Sequence, residues 1–137
     1  LSLKAGEKKV DIEYEGPEEF EMRIDPGLME QAVLNLIDNA IKFTPDGGKV
    51  KVFLEVSSES LDINVVDEGP GIPSKYKNRI FERFFSVDKG RSRKLGGSGL
   101  GLSIVKHIVL NHEGDVFVQR NTNEVGSIFT IRLPLKN

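Results

Sequence analysis

No cysteine and no tryptophan occur among the 137 residues, and only two histidines do. The missing thiols exclude disulfide frameworks, thiolate zinc sites and cysteine nucleophiles, and they suit a reducing compartment. Two histidines alone do not make a typical zinc site. No apolar run approaches the roughly twenty residues that a membrane-spanning helix needs. Excess charge is also scarce: 19 Lys and Arg against 21 Asp and Glu leave a formal net charge of -2. A balance so near neutrality carries no nucleic-acid footprint and predicts no direct membrane contact. Lys4, Glu7, Lys8 and Lys9 interrupt any apolar core of a signal peptide. The abrupt start suggests a piece of a longer protein.

With 38% hydrophobic and 29% charged residues, the chain has the balance of a globular domain. Its length fits one domain that buries roughly two thirds of its unfolded surface. Charge is unevenly spread. Residues 1 to 30 carry 4 basic and 9 acidic side chains, a local net of -5, whereas residues 74 to 95 carry 8 basic and 2 acidic, a local net of +6. The second stretch should attract anions.

Alternation over Val10 to Tyr14 and over Phe20 to Ile24 predicts two strands around the turn at Gly16-Pro17. Asp25-Pro26 supplies an N-cap and a first-turn proline, and apolar residues then recur at helical spacing from Leu28 to Phe43. Val50 to Val56 and Leu61 to Val66 predict an antiparallel hairpin ending at Asp67. A short helix is expected around Ser74 to Phe81, within a basic, glycine-bearing loop over 74 to 98. Helical spacing returns from Gly99 to Leu110 and closes at His112-Glu113-Gly114, before strands over Val116 to Gln119 and Ser127 to Leu133.

Three motifs carry chemistry. Asn35, Asn39 and Lys42 stand at i, i+4 and i+7, within roughly 60° of one another around the first helix. Met29, Ala32, Val33, Leu36, Ile37, Ala40 and Ile41 fill the face turned to a sheet. Two amides and an ammonium suit a hydrated divalent ion and phosphate, although the same stripe also describes an ordinary solvated face. Asp67-Glu68-Gly69-Pro70-Gly71-Ile72-Pro73 follows a strand directly. Two glycines let the backbone approach a flat ligand, and a carboxylate there can accept from an amino group such as adenine's. Alone, the motif is equally a glycine-proline turn. Gly96-Gly97-Ser98-Gly99-Leu100-Gly101-Leu102 opens a helix whose first N–H groups suit phosphate, but Leu102-Ser103 rule out a P-loop.

The order of these pieces, with Asn35 to Thr44 first, Asp67 to Ile72 next, then Phe81-Glu82-Arg83-Phe84-Phe85, Gly96 to Leu102 and a late Gly126-Ser127, resembles the catalytic ATP-binding domain of sensor histidine kinases. That family belongs with gyrase-type and chaperone-type ATPases. The resemblance covers nearly the whole chain, 1–137. It implies an α/β two-layer sandwich, a mixed and mostly antiparallel sheet with helices on one face, and an ATP lid over 74–98. It also implies ATP and Mg²⁺ as ligands, Asn39 as the metal ligand, Asn35 and Lys42 near the phosphates, and Phe43 beside the nucleotide. Asp67 would bind the adenine amino group, with Gly69, Gly71 and Ile72 at the base site, and Gly97, Gly99, Leu100 and Gly101 would border the phosphates. Glu68 stands where the family more often has Asn and is expected to add a charge near the site. Ser86 stands where relatives often have an arginine, leaving Arg83, Lys89, Arg91 or Arg93 as substitutes, with Arg83 the catalytic candidate.

ATPases of this superfamily carry a glutamate base where this chain has Asn35, so a kinase is favoured over a hydrolase, and the intact Asn39, Asp67 and glycine boxes favour it over a nucleotide sensor without transfer. His107, two turns into a helix expected to pack on the sheet, and His112 are given structural roles. The acceptor histidine is therefore expected on an upstream dimerisation domain of the same protein, with a response regulator as the next partner and a cytoplasmic location.

Overall fold

The computed structural model describes residues 10–16, 25–85, 100–121 and 125–135. In chain order these form β1 (Asp11–Glu15), α1 (Pro26–Phe43), β2 (Lys49–Val56), β3 (Ser60–Val66), two single 3-10 turns (Ser74–Tyr76 and Arg79–Phe81), α2 (Gly101–Asn111), β4 (Asp115–Arg120) and β5 (Ser127–Pro134). The strands make one five-stranded sheet ordered β1-β2-β3-β5-β4. All neighbours run antiparallel except β1 and β2, which are parallel, with Ile12 opposite Val50 and Tyr14 opposite Val52. The expected partner strand at Phe20 to Ile24 lies outside the described residues.

Helix α1 starts where the sequence demands. The Asp25 carboxylate accepts the Leu28 N–H at 3.0 Å, Pro26 fills the first turn, and the helix stops at Thr44, whose N–H still reaches the Ala40 carbonyl at 3.0 Å. Its buried face is Met29, Ala32, Leu36, Ile37, Ala40 and Ile41. Helix α2 contributes Val105, Ile108 and Val109, and the sheet's inner face contributes Val50, Val65, Phe129, Ile131 and Leu133, all inside one core. No described helix covers the opposite face. There Asn64 and Thr130 bond each other at 2.7 Å, and Asp62 holds Arg132 through two bonds of 2.9 Å.

Two expectations change. The short helix over Ser74 to Phe81 is two 3-10 turns, because Tyr76 and Lys77 bond back three residues to Pro73 and Ser74, and Glu82 does the same to Arg79. His107 is exposed, with Asn111 at 3.4 Å; it sits on the outer side of α2, while Val105, Ile108 and Val109 do the packing. At the end of α2, Glu113 takes the left-handed conformation (φ 61). Gly114 serves close packing, since a β-carbon there would collide with the Arg132 carbonyl.

Candidate nucleotide site

Strand β3 delivers Asp67 into the interior, where it is only 4% exposed. Oδ1 accepts the Gly69 N–H at 2.9 Å and the Ser127 N–H at 3.2 Å, while the Asp67 N–H donates to the Ser127 carbonyl at 3.0 Å. Among the described residues both bonds to the carboxylate go to Oδ1. No described buried side-chain oxygen lacks a partner, so Oδ2 is the atom still open to a ligand or to water. Burial pushes the carboxyl up to about 6, and the two N–H bonds oppose that rise without cancelling it.

The loop around Asp67 is pinned to the end of α1. Gly69 lies so close that a β-carbon there would stand 2.8 Å from the Phe43 carbonyl oxygen. Thr44, fully buried, accepts the Glu68 N–H on Oγ1 at 3.1 Å. Gly71 takes a positive φ of 83, as does Gly126 at 118, where a β-carbon would run into the Asp67 carbonyl. Gly69 thus serves close packing against Phe43, and Gly71 serves the turn. Ile72 is half-buried and packs on the core.

At the other end of the stripe, the Asn35 Nδ2 donates to the Gly101 carbonyl at 3.4 Å, which sets α1 against the start of α2. Among the described residues no side chain caps that helix, and a helix start of this kind suits an anion. The Leu100 carbonyl accepts from the Ile104 N–H at 3.0 Å and the Ser103 hydroxyl at 2.8 Å. Asn39 and Lys42 are half-buried between these ends; Lys42 pairs with Asp38 at 3.3 Å, and no hydrogen bond joins the Asn39 side chain to another described residue. From Asn35 to Phe43 is eight residues, about 12 Å along the axis. This stretch of α1 therefore has the Asp67 loop at one end and the start of α2 at the other.

A family model described as "Histidine kinase-, DNA gyrase B-, and HSP90-like ATPase" matches residues 24–137. The chain belongs to this family. Within it, the chain resembles the catalytic ATP-binding domain of sensor histidine kinases. It is 39% identical over 132 residues to the sensor-like histidine kinase SenX3 of Mycolicibacterium smegmatis, an alignment that covers 96% of this chain and 34% of that protein. The chain thus spans about a third of that relative's length. Among solved structures, the mycobacterial sensor histidine kinase MprB superposes with a TM-score of 0.82 at 33% identity, covering 97% of this chain and 87% of that one. Histidine kinase ThkA in complex with response regulator protein TrrA matches with a TM-score of 0.75 at 28% identity, covering 97% of this chain and 36% of that one. Membership implies ATP as the ligand, and the open two-layer sandwich is the kinase-domain fold.

Other expected residues of this histidine-kinase-like domain fall elsewhere. Arg83 is exposed, with its guanidinium 5.2 Å from the centre of the Phe84 ring. Phe81 is core, edge-on to Phe129 at 6.3 Å; Phe85 is half-buried against Tyr76; and Phe84 stands 61% exposed with a positive φ of 64. Gly97, Gly99, Ser86, Lys89, Arg91 and Arg93 lie outside the described residues, as does most of the expected lid over 74–98. The Glu68 Oε1 accepts the Lys49 N–H at the start of β2. Sequence reasoning gave no role to Ser127 or Thr44. The late Gly126-Ser127 pair of the motif order is the signal that could have found Ser127. Among the described residues a hollow of about 360 Å³ is lined by Lys77, Asn78, Phe81, Lys106 and Asp115 to Val118, and contains none of the expected site residues.

Proposed function

We propose that this domain binds Mg-ATP along α1 and donates the γ-phosphoryl group to a histidine on an upstream dimerisation domain of the same protein. Asp67 accepts from the adenine amino group through Oδ2, and its Oδ1 is already committed to two backbone N–H groups. Gly71 and Ile72 border the base, and Phe43 lies beside the nucleotide. Asn35, Lys42, Leu100, Gly101 and the N–H groups of α2 face the phosphates, joined by Gly97 and Gly99. Asn39 would hold Mg²⁺ through its amide oxygen. The donor fits that ion, since an amide oxygen is a hard ligand and phosphate and water oxygens would supply the other positions, as Mg²⁺ prefers. Bound there, Mg²⁺ offsets charge on the phosphate oxygens.

Asn35 carries the choice of reaction. An amide already donating to Gly101 cannot take a proton from water, so the site lacks a base for hydrolysis at that position. In transfer, the acceptor imidazole nitrogen forms a P–N bond as the bond from the γ-phosphorus to the bridging oxygen breaks, ADP leaves, and the imidazole proton passes to solvent. Arg83, on the lid segment, is the candidate cation for the terminal phosphate. The phosphohistidine then serves a response regulator, a partner that the ThkA assembly with TrrA supports by analogy. No helix among the described residues is long and apolar enough to cross a membrane, and ATP chemistry implies a cytoplasmic location for this domain.

The test is labelled ATP incubated with the chain alone and with its acceptor domain. Acid-labile label on the acceptor histidine, little on the chain alone and slow ADP release are expected. Fast turnover to ADP by the chain alone would instead make it a hydrolase.

A further inference from the structure

Helices α1 and α2 run antiparallel, and two polar contacts tie them at opposite ends. One is the Asn35 amide on Gly101. The other involves His112, the residue after α2, whose Nδ1 lies 2.8 Å from the Ile108 carbonyl oxygen and whose Nε2 receives the Asp25 N–H at 3.0 Å. A carbonyl only accepts, so Nδ1 carries the proton and Nε2 offers its lone pair. One tautomer satisfies both partners. Asp25 is no ordinary partner, because its side chain caps α1 through Leu28 and its carbonyl receives the Met29 N–H at 2.9 Å.

The spacing between the two ties matches. Asp25 to Asn35 covers ten residues, about 15 Å of α1, and Gly101 to His112 covers eleven, about 16 Å of α2. Between them Met29, Ala32 and Leu36 are buried with Val105, Ile108 and Val109. Apolar packing alone tolerates a small slide or roll of one helix on the other, whereas a hydrogen bond at each end does not. We infer that His112 is a positioning residue for the nucleotide: by holding the cap of α1 to the end of α2, it sets where the Asn35, Asn39 and Lys42 stripe stands against the α2 N-terminus. It touches no phosphate itself. The functional part of this inference rests on the nucleotide reading of the α1 stripe.

The test compares the wild-type chain with His112→Leu, which keeps bulk and loses both bonds, and His112→Gln, whose amide can donate to Ile108 or accept from Asp25. Imidazole nitrogen spectra of the wild type at neutral pH should show Nδ1 protonated and Nε2 bare. The reverse pattern, or an average of the two, would overturn the clasp. Exchange of the Asp25 amide should quicken in His112→Leu and slow again in His112→Gln. Mg-ADP affinity, measured well below the unfolding midpoint, should fall roughly three- to thirtyfold in His112→Leu and recover in part in His112→Gln. Equal affinity in wild type and His112→Leu would refute the positioning role, reducing His112 to a stability contact. A wild type that binds no Mg-ADP would count against the nucleotide reading, and the spectra and exchange would still decide the clasp. If His112→Leu does not fold, the tautomer and the Gln variant decide.

Discussion

Asp67 is a buried carboxylate that the folded domain keeps at a cost, and Asp67→Asn should expose that cost. Burial raises its pKa from 3.8 to about 6. Because the native value lies above the unfolded one, the native state holds more protons between those limits, and stability falls as pH rises through them. The contribution is fully present below about pH 4 and lost above about pH 6. A rise of that size corresponds to roughly 3 kcal/mol. Asparagine keeps an oxygen for the Gly69 and Ser127 N–H groups and places its NH₂ where Oδ2 meets solvent, so the substitution removes the charge and little else. Urea unfolding of both nucleotide-free proteins at pH 4, 5, 6 and 7 should show the wild type losing up to about 3 kcal/mol relative to Asp67→Asn across that range. The variant should be the more stable at pH 7. Its ADP affinity should nevertheless fall by roughly 10- to 150-fold, the equivalent of one charge-assisted hydrogen bond of about 1.5–3 kcal/mol. Parallel pH profiles would refute the buried-charge argument, and unchanged ADP affinity would remove Asp67 from the base site.

Other outcomes follow from the same contacts. Gly126→Ala should lower stability by about 2 kcal/mol or more, because its φ of 118 and the nearby Asp67 carbonyl both exclude a β-carbon; an unaltered melting temperature would contradict this. In Gly69→Ala the new methyl meets the Phe43 carbonyl, so stability should fall by about 1–3 kcal/mol and ADP binding should weaken beyond what partial unfolding explains, as calorimetric titration of the folded fraction would reveal. Phe129→Ala should cost about 3–5 kcal/mol in urea unfolding, since the ring is 2% exposed and meets Phe81 edge-on. Wild-type ADP affinity should decline as pH falls below about 6, where the carboxylate that accepts from adenine becomes protonated.

What the sequence revealed was mostly local. Asp25-Pro26 and the apolar period from Leu28 to Phe43 specify α1 by capping and amphipathicity, and the hairpin of β2 and β3 follows from alternation around Ser57 to Glu59. The parallel pairing of β1 with β2, and the insertion of β5 between β3 and β4, depend on pairings between strands distant in sequence, which periodicity does not encode. The site divides in the same way. Asn35, Asp67 and the glycine boxes stand out as motifs, whereas the groups that hold them are remote: Ser127 is 60 residues from Asp67, Thr44 is 24 from Glu68, and His112 is 87 from Asp25. Among the phenylalanines of the Phe81 to Phe85 segment, the fold puts Phe81 in the core and leaves Phe84 in solvent.

The central claim is that an adenine nucleotide lies along α1 with its base at Asp67 and its phosphates at the start of α2. Titrating Mg-ADP into ¹⁵N-labelled protein, with Mg-GDP as the control, tests it most directly. The account expects saturable amide shifts at Gly69, Ser127, Asn39 and Gly101 with ADP, and much weaker ones with GDP, whose base presents a carbonyl where adenine presents its amino group. Shifts confined to Lys77, Asn78, Lys106 and Val116, around the hollow beside β4, or equal responses to both nucleotides, would contradict it.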